Sequence, residues 1–161
     1  MIEVYPNLYV GAQSDEELAR GSPEWFIVHA CKEPYHRDAL GYTGRAASKV
    51  HPEYLIAKRP GRLVLNLVDA PDVAYIPDEI IDCAIETILG EIGTTKILVH
   101  CNQGMSRSPT IALLYLAKFT TQFSGLKFSD ATAAFKEIYP PYNPGQGMAD
   151  YARIYWSRYQ S

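Results

Sequence analysis

The stretch KILVHCNQGMSRSPTIALLYLAKF, residues 96 to 119, restricts the fold more than any other part of the chain. It opens on Ile97-Leu98-Val99, an apolar run with the length of a buried strand. It closes on a long apolar run starting at Ser108-Pro109, which reads as a helix with proline in its first turn. Between them lies only His100-Cys101-Asn102-Gln103-Gly104-Met105-Ser106-Arg107. A loop this tight turns successive backbone N–H groups into one concavity, and the helix start adds partial positive charge. Such a cradle suits a tetrahedral dianion. Gly104 permits a turn or a close approach that a Cβ would hinder. Arg107 can grip two oxygens with its planar fork, as lysine cannot. Cys101 sits where the same positive ends favour thiolate over thiol, since helix N-termini and nearby cations lower a cysteine pKa from about 8.5 to about 3.5–7.5. The loop is expected to hold a phosphate against Asn102, Gln103, Gly104, Met105, Ser106 and Arg107, with Cys101 beneath it as nucleophile. The blander reading, a small buried cysteine followed by a plain helix start, leaves the polar loop and Arg107 without a purpose.

The run His-Cys-x-x-Gly-x-Ser-Arg-Ser-Pro-Thr, residues 100 to 110, resembles the signature of the cysteine-dependent protein phosphatases in their dual-specificity subclass. Asn7-Leu8-Tyr9-Val10-Gly11 resembles the opening strands of that family, and the resemblance extends to the final helix. It implies an α/β fold with a mostly parallel central sheet flanked by helices on both faces. It implies phosphomonoester hydrolysis on phosphoproteins through a cysteinyl-phosphate intermediate, on phosphotyrosine and on phosphoserine or phosphothreonine, without metal or cofactor. It also implies a general-acid aspartate on a loop after a sheet strand, well upstream of the cysteine. Asp69 stands at that place, after the strand ending in Asn66-Leu67, and Asp72 is the alternative. Ser108 takes from the resemblance a role in bonding the cysteine sulfur and easing its departure, beside an ordinary capping role. His100 is read as orienting the loop from behind, not as a metal ligand.

Other substrates and roles stay open. Phosphoinositide phosphatases often carry lysines inside the loop, and Asn102, Gln103 and Met105 supply none. An RNA 5′-end phosphatase is a further alternative, against which the net charge of −3 argues. A phosphopeptide-binding module would commonly lack the cysteine, the arginine or the acid. The low-molecular-weight phosphatases place the acid after the cysteine, the reverse of the order here.

The remaining chain reads as α/β. Residues 2 to 11 give two short strands broken at Pro6-Asn7, Ser14-Asp15-Glu16-Glu17 starts a helix, and Phe26 to Ala30 form a central strand. Residues 31 to 53 show no period. They are expected to be a long loop with a short helix around Ala46-Ala47, or a substrate-reading rim carrying His36, Arg37, Arg45, Lys49 and His51. Tyr54 to Ala57 and Leu63 to Leu67 flank a Pro60-Gly61 turn. A helix from Pro77 to about Leu89 turns Ile80, Ile81, Ala84, Ile85, Ile88 and Leu89 inward, with Cys83 as a packing residue and Asp78 and Glu79 as first-turn acids. A helix opening at Ser129-Asp130 and a last one from Met148, with Tyr151, Ile154 and Tyr155 on one face, complete the order; Asn143 and Gly147 in the loop between are given no role, and Gln146 is read as a turn residue, with reach into the site as the alternative.

With 161 residues, 47% of them hydrophobic and 20% charged, the chain is expected to be one soluble catalytic domain over residues 1–161. Its three widely spaced cysteines suggest neither a zinc site nor a disulfide framework, which points to the cytoplasm or another reducing compartment. No membrane span or signal-peptide pattern is read, and no nucleic-acid or membrane partner is expected, only a phosphoprotein substrate.

Overall fold

Hydrophobic alternation decides how the strands face. In the computed structural model, which describes residues 1–161, six strands form one sheet: β1 (Ile2–Tyr5), β2 (Leu8–Gly11), β3 (Trp25–His29), β4 (Ile56–Arg59), β5 (Arg62–Leu65) and β6 (Lys96–His100). Their order is β1-β2-β6-β3-β5-β4. The four inner strands run parallel and the two edge strands antiparallel to their neighbours. Along β6, Ile97 and Val99 enter the main core while Leu98 enters the core on the opposite face, and Val28 and Ile27 of β3 divide the same way. That period of two, on strands buried on both sides, requires helices on both faces.

One face carries α3 (Asp78–Glu91), α4 (Arg107–Phe119), α5 (Phe128–Ile138), α6 (Gln146–Ile154) and the short α7 (Trp156–Tyr159), packed into the larger core. α4 runs through this core with every residue from Ser108 to Ala117 buried, which accounts for its nearly unbroken apolar sequence. The other face carries α1 (Gln13–Ala19), a π-type turn at Lys32–His36 and α2 (Arg37–Leu40). No helix is long and apolar enough to cross a membrane.

The α/β architecture is the expected one, and four local expectations are corrected. Residues 32–40 form a π-type turn, kinked at the extended Glu33, and a short α-helix, and no helix forms at Ala46-Ala47. Leu89 and Ile154, placed inward by periodicity, are 46% and 49% exposed. Each sits at the far end of its helix, where the core has run out beneath the stripe. α6 begins at Gln146, before the expected Met148, and α7 follows it as a separate turn.

Candidate active site

β6 and α4 are joined by residues 101 to 106 at the carboxyl end of the parallel strands, the position where open α/β sheets place their ligands. Two glycines set the loop's depth. Gly104 has φ +72°, and a Cβ there would come within 2.9 Å of the Gly11 carbonyl group at the end of β2. Gly104 therefore supplies both the left-handed turn and the close approach that its sequence context demands.

The hydrogen bonds of the loop divide by polarity. Its carbonyls are taken up by the surrounding scaffold. Asn102 O accepts from Gln13 N, Met105 O from Asn143 N at 2.8 Å, Gly104 O from the Tyr139 hydroxyl at 2.6 Å and Ser106 O from the Thr110 hydroxyl at 2.7 Å. His100 Nδ1 lies 3.3 Å from Cys101 O. By contrast, none of the backbone N–H groups from Asn102 to Arg107 donates to a backbone carbonyl. The scaffold thus satisfies the loop's acceptors and leaves its donors for the cavity, which makes the cavity floor electropositive without any net charge.

That cavity, of about 400 Å³, is lined by Asp69, Cys101, Asn102, Gln103, Met105, Ser106, Arg107, Asn143, Pro144 and Gly145. Cys101 is 2% exposed and sits at its base. Its Sγ is 3.2 Å from Ser108 Oγ, which is also 3.1 Å from the Gly11 carbonyl. A serine hydroxyl has one proton, so it donates either to Gly11 or to the sulfur. Either bond fits the distances, and the hydroxyl lies within reach of both acceptors. Arg107 is aimed by two acceptors: Nη1 donates to Leu67 O at 3.0 Å and Nη2 to Asn102 Oδ1 at 2.6 Å. Asn102 is itself held, its Nδ2 donating to Gln13 Oε1 and Glu33 O. Arg107 Nε is buried and has no partner in the protein.

The two candidate aspartates separate cleanly in position. Asp69 lies on the cavity wall, where its Oδ1 accepts from Ser106 Oγ at 2.8 Å, while Ser106 Oγ accepts from Gly145 N at 2.9 Å. Asp72 points elsewhere and caps the short helical turn Val73–Tyr75, accepting from Ala74 N at 2.9 Å. Asn143 lines the cavity and Gly147 packs beneath the Ala70 carbonyl, where a Cβ would collide; Gln146 does not line the cavity. Neither contribution was assigned from the sequence, nor were those of Ser106 and Asn102 as clamps on Asp69 and Arg107.

Of the expected rim residues, His36 is buried and bonded to Tyr42 and the Glu53 carbonyl. Arg37 is spent on Glu33 and the carbonyls of Tyr42 and Gly44, so both serve the segment's own shape. Arg45, Lys49 and His51 are exposed. Cys31, buried near Cys101, has its thiol pushed up to about 12 by burial and does not line the cavity. All three cysteines are free, and no cluster of side chains has metal-ligand geometry.

The same architecture recurs in solved structures. DUSP15 superposes with a TM-score of 0.63 at 22% identity, over 99% of this chain and 90% of that one. The human tyrosine phosphatase-like serine/threonine/tyrosine-interacting protein gives 0.61 at 20% identity, over 98% and 95%. The Cydia pomonella PTP-2 phosphatase gives 0.65 at 14% identity, over 95% and 88%. This is the dual-specificity phosphatase fold. No protein-family model and no curated relative matches the sequence. The dual-specificity phosphatase fold accounts for the placement of the loop at the sheet's carboxyl edge, with α4 behind it and the Asp69 loop, which follows β5, beside it.

Proposed function

We propose that residues 1–161 form one phosphatase catalytic domain that hydrolyses phosphomonoesters on phosphoproteins through a cysteinyl-phosphate on Cys101. The observation that carries this reading is the polarity of the loop: free N–H donors and the unpartnered Nε of Arg107 surround a cysteine at the base of the cavity. That arrangement fits the equatorial oxygens of a phosphoryl group in transfer. The Cys101 thiolate attacks phosphorus in line, the S–P bond forms, and the P–O bond to the substrate breaks. Asp69 gives its proton to the leaving oxygen. Water then attacks the phosphocysteine, Asp69 takes the water's proton, and the thiolate leaves with the Ser108 hydroxyl donating to it. His100 holds the loop from behind through Cys101 O. The three free thiols suit a reducing compartment.

Turnover of an aryl phosphate by the wild-type chain, abolished in Cys101→Ser while vanadate still binds, is the expected result. Undiminished turnover in that variant overturns the assignment. A panel of phosphotyrosyl, phosphoseryl and phosphothreonyl peptides is expected to outpace a 5′-phosphorylated RNA and a phosphoinositide; the reverse order overturns the protein-substrate reading.

A further inference from the structure

His29 ends β3 opposite His100 in parallel register, and the two imidazoles meet, with His29 Nδ1 2.7 Å from His100 Nε2. Both rings are buried, at 1% and 0% exposure. Burial depresses His29 to about 3 and His100 to about 4, so both are neutral near pH 7 and each carries one ring proton. The charged groups around the pair pull both ways without reversing this: Glu16 and Asp15 favour protonation, while Arg20, Arg62 and Arg107 oppose it.

Only one placement of the two protons satisfies every contact. His100 Nδ1 faces the Cys101 carbonyl, which can only accept, so the His100 proton belongs on Nδ1. His100 Nε2 is then a lone pair, and His29 must supply the proton between the rings from its own Nδ1. His29 Nε2 is left as an acceptor, and it is the one nitrogen of the four with no protein partner. His29 lines an open groove of about 680 Å³ on the sheet face behind the loop, with Glu16, Arg20 and Arg62. The opposite placement, with both protons on Nε2, keeps the bond between the rings but sets the His100 Nδ1 lone pair against the carbonyl lone pairs and leaves His29 Nε2–H a buried donor with no partner.

We propose that His29 is a positioning residue for the nucleophile: it donates from Nδ1 to His100, and this fixes His100 in the tautomer that donates to the Cys101 carbonyl. The proposal rests on Cys101 being the nucleophile only for its effect on rate; the tautomers themselves are independent of that reading. The surroundings hold the His29 ring in place. Tyr35 stacks on it with centroids 4.4 Å apart, the Tyr35 hydroxyl donates to Glu16 at 2.9 Å, and Arg20 grips Glu16 with two donors. His29 thus reaches the active site from 71 residues away along the chain, through one neighbouring strand.

The first test is long-range proton–nitrogen NMR correlation on the full wild-type chain at pH 7, with the two histidines assigned by substitution. Both rings are expected as Nδ1–H tautomers with unprotonated Nε2. His100 found as Nε2–H, or as imidazolium, overturns the proposal whatever the enzyme does. The second test compares His29→Leu with His29→Asn, because the asparagine amide nitrogen falls near the place of the histidine Nδ1. The leucine variant is expected to lose about tenfold in kcat with KM changed less than about twofold, and to give mixed tautomers at His100. The asparagine variant is expected to restore the single tautomer and most of kcat. Equal losses in both variants, matched only by lower melting temperatures, would reduce His29 to packing and overturn the proposal. If the wild-type chain has no turnover although its tautomers are as stated, it is the catalytic reading of Cys101 that fails.

Discussion

Replacing Asp69 by asparagine isolates one proton. The Asp69 carboxylate accepts from Ser106 Oγ at 2.8 Å, and Ser106 is fixed in turn by the Gly145 amide. An amide oxygen can accept the same bond, so the side chain keeps its place on the cavity wall and loses only the ability to donate to a leaving oxygen. General acid catalysis contributes about 100- to 10,000-fold, which is about 2.7–5.5 kcal/mol of barrier. The full loss in kcat is expected for phenyl phosphate or a phosphotyrosyl peptide, whose leaving oxygens need the proton. It is expected to shrink sharply for a nitrophenyl ester, whose anion leaves unaided. The assay is kcat over a series of aryl phosphates of graded leaving-group acidity, with a steeper dependence in the variant. Asp72→Asn is the control. Asp72 caps a turn through Ala74 N, and asparagine caps about as well as aspartate, so a change below about threefold and an unaltered slope are expected. A leaving-group-dependent loss in Asp72→Asn would reverse the two roles, and its absence from both variants would show that the proton comes from another group.

Arg107→Lys keeps the charge but cannot reach Leu67 O, Asn102 Oδ1 and the substrate together, so kcat/KM is expected to fall by at least about 100-fold; near-normal kinetics would show that charge alone suffices. Stability should fall with acid. Unfolded His29 and His100 bind protons below about pH 6.5 while the buried rings stay neutral, so their stabilisation is complete above that pH. It is lost as the pH falls toward about 4 for His100 and about 3 for His29, at about 2 kcal/mol for each by pH 5, and urea unfolding at pH 7 and pH 5 that gives equal stabilities would refute this.

What the sequence made legible was whatever is local. The apolar run before Cys101 and the proline-opened run after Arg107 are each one element, and their adjacency fixed the loop's environment. Asp69 was singled out through the family resemblance, as the first aspartate after a strand that had to be in the sheet, and it lies on the cavity wall. The segment 31–53 was misjudged because its helical part is a π-type turn followed by only four α-helical residues, too short and too irregular to show a period. The supports of the site were hidden for a different reason. His29 meets His100, and Gly11 meets Gly104, only because β2, β6 and β3 lie side by side in register, and register is a property of the assembled sheet. A histidine in an apolar strand looks like any buried polar residue until its neighbour across the ladder is known.

The same register explains how a neutral loop becomes an anion cradle. Acceptors on the loop are matched by donors from far-apart elements: Gln13 at the start of α1, Tyr139 after α5, Asn143 before α6, and the histidine pair on β3 and β6. Each such bond turns a carbonyl away from the cavity and, through the planarity of the peptide, turns an N–H toward it. The electropositive floor is thus built from outside, by satisfying the loop's negative ends. Arg107 follows the same rule. Its two terminal nitrogens are anchored on Leu67 O and Asn102 Oδ1, which leaves Nε as the donor with no protein acceptor. Anchors of this kind are neutral amides and carbonyls, so they hold the guanidinium in position without cancelling its charge, as the proposed phosphate site requires.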